Sequence, residues 1–182
     1  MIITIAGKPG SGKSTVGRMI AKKLGYKFYS TGDLRGKIAM DLGMTIDELN
    51  EIGVKEDWTD KLIDAKTEKI GKEKDNFVID SWMAWHFIPK SVKIYLDVDP
   101  RIGAERIFRE QRPDEEKKET VEEVMETIQK RLKDSAARYK KYYGVDILDL
   151  TNFDLVIDTS AITAEEVTEK ILRFIKKFQI KP

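Results

Sequence analysis

The chain contains no cysteine, one histidine and five prolines in 182 residues. Without a thiol there is no cysteine nucleophile, no thiolate metal site and no disulfide framework, an absence that suits a reducing compartment. The lone imidazole, His86, builds neither a conventional triad nor a zinc cluster, and it reads as structural. No apolar run approaches the roughly 20 residues that cross a bilayer, and the first residues read as a strand rather than a secretory leader. A cytoplasmic protein without a membrane partner is the expectation. Charge of one sign is also missing, since Lys+Arg of 33 against Asp+Glu of 32 leaves +1. Bulk charge therefore advertises no nucleic acid, and any anion chemistry must come from local basic clusters. The length suits a single domain over residues 1–182 whose core needs no staple, and a monomer is expected.

What is present is an alternation of short apolar runs with longer amphipathic ones. The runs at Ile2 to Ala6, Lys27 to Ser30, Phe77 to Asp80, Val92 to Val98 and Leu155 to Asp158 are too continuously apolar, in several cases, for a sheet with a wet face. They predict a parallel sheet covered on both sides. Helical spacing predicts helices at about Lys13 to Leu24, Leu34 to Asp41, Ile46 to Glu51, Trp58 to Lys72, Arg101 to Glu110, Val121 to Tyr143 and Ala164 to Lys177. Capping boxes are expected at Thr45 with Glu48, Thr120 with Glu123, and Thr163 with Glu166. This order argues for a doubly wound α/β fold with ligands at the carboxyl ends of the strands. Two stretches break the alternation, a helical insertion near residues 41–75 and the charged run Arg112 to Thr120.

The strongest signal is GKPGSGKS, Gly7 to Ser14, which satisfies G-x-x-x-x-G-K-[ST] between a strand and a helix. Gly7, Gly10 and Gly12 let the backbone of the loop, which also includes Lys8, Pro9, Ser11 and Thr15, wrap closely so that its N–H groups point at phosphate oxygens. Lys13 reaches the β- and γ-phosphates, and the Ser14 hydroxyl is a Mg²⁺ ligand. Residues 7–15 are thus the candidate ATP site. After the second strand comes STGDLRGK, in which Asp33 is placed to cap a helix and Arg35 falls in its first turn. At the mouth of such a sheet an arginine fork suits a second phosphate, so Ser30, Asp33 and Arg35 are acceptor-site candidates.

The segments GKPGSGKST, STGDLR, VIDSW, VKIYLDV, ERIFRE, RLKDSAARYKKYYGVDILDL and FDLVIDTS, in this order, resemble the nucleoside monophosphate kinases. They are most similar to the short archaeal type of cytidylate (CMP/dCMP) kinase. The resemblance implies a P-loop NTPase-type three-layer sandwich with a five-stranded parallel sheet, an acceptor-binding helical insertion and a short arginine-bearing lid at about 109–120. It implies ATP with Mg²⁺ as the donor, a nucleoside monophosphate as the acceptor, and Asp80 as the carboxylate that serves the metal with Ser14. Arg106, Arg109 and Arg112 would close over the donor phosphates, while Arg131 and Arg138, two helical turns apart, would contact donor and acceptor phosphates.

Two departures bear on the acceptor. Ser81, Trp82 and Met83 stand where the family commonly has an arginine, and Ser135 stands where related helices often have a carboxylate, with Asp134 beside it. Trp82 and Trp85 have two readings, stacking on a base or packing in the core. The run Tyr139 to Tyr143 reads as helix packing. Two other functions stay open: a P-loop kinase for a different monophosphate or a non-nucleotide acceptor, and a nucleotide-driven assembly ATPase.

Overall fold

The computed structural model describes residues 1–112 and 115–179. Strands β1 (Ile2–Gly7), β2 (Lys27–Ser30), β3 (Phe77–Asp80), β4 (Val92–Asp97) and β5 (Leu155–Asp158) form one parallel sheet in the order β2-β3-β1-β4-β5. The helices are α1 (Lys13–Leu24), α2 (Thr31–Asp41), α3 (Ile46–Lys55), α4 (Trp58–Glu73), α5 (Ala84–Phe87), α6 (Pro100–Arg109), α7 (Val121–Tyr143) and α8 (Ala164–Gln179). A 3₁₀ turn at Leu150–Asn152 precedes β5. No described helix is long and apolar enough to cross a membrane.

Strand side chains alternate between faces, and here both faces are covered. Ile3 and Ile5 of β1, Val78 of β3, Ile94 and Leu96 of β4 and Ile157 of β5 pack against Val16 and Ile20 of α1 and Val167, Ile171 and Ile175 of α8. The spacing of four in both helices makes each a single apolar stripe. On the opposite face Ile2, Phe77 and Ile79 meet Ala84 and Ile88, while Ala6 and Tyr95 meet Trp85. The result is the three-layer α/β sandwich that the alternation of elements predicts, with the central strand β1 delivering its loop to the middle of the carboxyl edge.

Local chemistry differs from expectation at three places. Helix α2 starts at Thr31, and its N-cap is Ser30, whose hydroxyl accepts from the Asp33 N–H at 3.1 Å. Asp33 is therefore not the cap, because a serine three residues earlier already serves that N–H. The boxes at Thr45 and Thr163 are complete, but at Thr120 the Glu123 carboxylate takes the Glu119 N–H instead of the cap's own. Helix α5 is an additional short turn of four residues within the stretch that holds the tryptophans. Of the expected lid at 109–120, residues 113–114 lie outside the described residues.

Candidate active site

The loop between β1 and α1 is forced into a tight curl by its neighbours. A Cβ at Gly10, where φ is +76°, would lie 2.3 Å from the Gly103 carbonyl oxygen, so only glycine lets the loop press on α6. Helix α1 has Gly12 as its N-cap with no side-chain capping bond, which leaves its first N–H groups open to an anion. The buried Ser11 hydroxyl in the same loop has no hydrogen-bond partner among the described residues. Unmatched donors gathered in one concave loop are the chemistry that a phosphate chain satisfies.

Lys13 folds back over this loop, donating to the Lys8 carbonyl at 2.8 Å, with its ammonium 5.7 Å from the centre of the Trp82 ring. Burial pushes its pKa down, and the charge of Asp80 works the other way. Lys8 itself points its ammonium at Asp97, 2.7 Å away, so its contribution to the loop is backbone. At the end of β3, Asp80 accepts a hydrogen bond from the Ser14 hydroxyl. Burial pushes its carboxyl pKa up, opposed by Lys13 and by the Ser14 bond. A hydroxyl and a carboxylate converging beside an anion loop form an oxygen donor set that fits Mg²⁺, which keeps waters and takes phosphate oxygens. No group of three or more His, Cys, Asp or Glu that would bind a metal without such help exists among the described residues.

Behind Arg35 and Arg138, the expected acceptor residues, lie partners that the sequence reading did not single out. Arg35 is buried, donating from Nη1 to Asp60 at 2.9 Å, from Nε to Asn50 at 2.8 Å, and from Nη2 to the Thr59 hydroxyl at 3.3 Å. Gly53 makes room for it, since a Cβ there would sit 2.8 Å from the Thr59 oxygen and 3.1 Å from Arg35 Nη2. Arg138 donates from Nε to the other Asp60 oxygen at 2.8 Å. One turn along α4, Asp64 accepts from the Tyr143 hydroxyl at 2.7 Å, and burial pushes its pKa up to about 6. Tyr143, within the run read as helix packing, is held well above the usual phenol range by burial and by that bond. The signal for Asp60 and Asp64 was their spacing: they share a helical stripe with Ile63, Thr67 and Gly71, all buried.

Arg131 is held bidentately by Asp47, at 2.8 and 3.0 Å, and by Glu115 at 2.8 Å. Burial opposes its charge, but the bonds to Asp47 and the charge of Glu115 raise its pKa on balance. The three arginines expected of the lid differ in surroundings. Arg106 donates to the Thr159 carbonyl at 2.8 Å and to the Gly10 carbonyl at 3.3 Å, Arg112 pairs with Asp33 at 3.2 Å, and Arg109 is exposed. Asp33, released from capping, also pairs with Arg18 at 3.0 Å.

One cavity of about 600 Å³ is lined by residues 9–15, Ser30, Arg35, Asp80, Ser81, Trp82, Arg106, Arg109, Arg112, Arg131, Ser135 and Arg138. Gly7, Lys8, Asp33 and Asp134 do not line it. The two tryptophans differ in place: Trp82 lines the cavity while also packing on the core, whereas Trp85 is buried against Tyr95 and Phe153 and donates its indole N–H to the Trp82 carbonyl at 2.8 Å. His86 packs edge-on to Trp85 and Phe87, as a structural residue would.

Comparison with known proteins adds to this geometry. Residues 2–161 match the family model of the cytidylate kinase-like family. The chain is 34% identical over 180 residues to a cytidylate kinase of Methanocella arvoryzae, covering 98% of this chain and 99% of that protein. It is 32% identical over 182 residues to a cytidylate kinase of Archaeoglobus fulgidus, covering 100% and 98%. A crystal structure of shikimate kinase from Bacteroides thetaiotaomicron superposes with a TM-score of 0.66 at 19% identity, covering 97% of this chain and 98% of that one, a likeness of fold.

Proposed function

The chain belongs to the cytidylate kinase-like family and is a nucleoside monophosphate kinase, and from that premise we propose that its acceptors are CMP and dCMP. What supports the cytidine acceptor is the likeness to relatives named cytidylate kinase, and what supports a donor and an acceptor phosphate in one site is a cavity lined both by the phosphate loop and by Arg35, Arg131 and Arg138. In the reaction, an oxygen of the acceptor phosphate bonds to the γ-phosphorus of ATP while the bond to the β–γ bridging oxygen breaks, and ADP leaves. Both reacting groups are phosphates, so positioning and charge neutralisation supply most of the catalysis.

On this reading the backbone of residues 7–15 and Lys13 hold the triphosphate, with Lys13 exchanging the Lys8 carbonyl for a phosphate oxygen. Ser14 and Asp80 would hold Mg²⁺, which when bound neutralises charge on the phosphate oxygens. Arg35 and Arg138 take the acceptor phosphate, Arg131 bridges, and Arg106, Arg109 and Arg112 border the donor side. Residues 41–75 act as the acceptor insertion and 109–120 as a lid, in a monomeric cytoplasmic enzyme.

A coupled ADP-release assay with CMP, dCMP, UMP, AMP, GMP and dTMP, with Lys13→Ala as the blank, tests this. Fast saturable turnover with CMP or dCMP alone is expected. A second reading, a different monophosphate or a non-nucleotide acceptor, draws on Ser81, whose hydroxyl accepts from the Met83 and Ala84 N–H groups and so caps the next turn. Turnover with another monophosphate alone would favour it. No acceleration by any monophosphate would sink the monophosphate kinase assignment and favour a non-nucleotide acceptor or an assembly ATPase.

A further inference from the structure

We infer that Asp60 is the positioning residue for the acceptor phosphate, presetting Arg35 and Arg138 from behind the cavity wall; this rests on the assignment of those arginines to the acceptor. Asp60 is 1% exposed, and each of its oxygens is taken by a different guanidinium, Arg35 at 2.9 Å and Arg138 at 2.8 Å. The three residues come from α4, α2 and α7, so one carboxylate fixes the relative placement of three elements. Asp60 does not line the cavity, but both arginines do.

The direction of the bonds matters. Arg138 spends its Nε on Asp60, and its only other hydrogen bond among the described residues is a long one, 3.5 Å, from Nη2 to the Ser135 hydroxyl. The Nη end of the fork is thereby left for a ligand. Arg35 is held along its length by Asp60, Asn50 and Thr59, which fixes its orientation. Two guanidiniums around one carboxylate leave net positive charge at the wall, while the carboxylate relieves the repulsion that would otherwise push them apart.

The test compares wild type, Asp60→Asn and Asp60→Glu by calorimetric titration with CMP and with inorganic phosphate, beside steady-state kinetics. Asp60→Asn is expected to weaken both ligands about tenfold or more and to raise the acceptor KM to match, with the ATP KM within about twofold. Asp60→Glu keeps the charge but shifts it by a methylene, so it should also lose affinity; if Asp60→Asn fails to fold, Asp60→Glu decides. Phosphate binding that is unchanged or tighter in either folded variant overturns the inference, as does an equal rise in both KM values. A wild type that binds phosphate yet turns over no monophosphate would sink the monophosphate kinase assignment alone, leaving Asp60 to be judged on the phosphate titration. A wild type that binds neither ligand would overturn both.

Discussion

Replacing Asp64 with asparagine should make the protein more stable at neutral pH and flatten part of its pH dependence. Burial raises this carboxyl from its ordinary 3.8 to about 6. Below both values the folded and unfolded chains carry the proton alike, and the group costs nothing. Between about pH 4 and pH 6 the unfolded chain has lost the proton and the folded chain keeps it, so stability falls as pH rises. Above pH 6 the full cost remains, about 2 units at 1.36 kcal/mol each, or ~3 kcal/mol. Asparagine stays neutral and can still accept the Tyr143 hydroxyl, now received by the Asp64 carboxylate. Asp60 one turn earlier, Arg35 from α2, and Tyr139 and Arg138 from α7 also influence Asp64, but they are common to both proteins. Urea unfolding of wild type and Asp64→Asn at half-unit steps from about pH 3 to pH 7 should show their stability difference widening by ~3 kcal/mol in favour of the variant. At about 2–4 °C per kcal/mol for a chain of this size, melting temperatures should separate by roughly 6–12 °C over the same window. Parallel curves across the range would refute the reasoning, because a group that ionises normally in the fold leaves no such signature.

Lys13→Ala removes the ammonium proposed to serve the phosphates, and kcat should drop by about 10²–10³ in the ADP-release assay; a loss under tenfold would remove Lys13 from the transition state. Trp82→Ala should raise the CMP KM about 5-fold to 100-fold if the ring stacks on the base, while leaving affinity for inorganic phosphate unchanged. A matching loss of phosphate affinity would instead assign Trp82 to holding Lys13. Ile171→Ala, at the centre of the α8 stripe, should cost ~2–5 kcal/mol in denaturant unfolding with little change in the acceptor KM.

The layers were legible because their signals are local. The apolar runs at Phe77–Asp80 and Leu155–Asp158 match their strands, and the glycines with Lys13 and Ser14 place the loop between β1 and α1. The proposed acceptor side was less so, because Asp60 becomes a buried anchor only when α7 brings Arg138 across from 78 positions away. Read alone, carboxylates at 60 and 64 resemble the wet face of α4. Similarly, Asp33 and Ser30 both suit a cap, and only the actual start of α2 at Thr31 decides between them. Trp82 and Trp85 are chemically alike in the sequence, and their separate fates follow from the turn of α5 between strand and cleft.

The clamp on Arg131 has a consequence for how the cleft responds to its surroundings. Its guanidinium already faces two carboxylates, from α3 and from the segment before α7. If Arg131 takes a phosphate as proposed, the arriving group trades places with Asp47 or Glu115 rather than neutralising a bare cation. Such an exchange displaces few mobile ions, so acceptor affinity should decline more gently with added salt than the count of arginines in the wall implies. It also favours the doubly charged form of a monophosphate over singly charged anions, which compete poorly against carboxylates already in place.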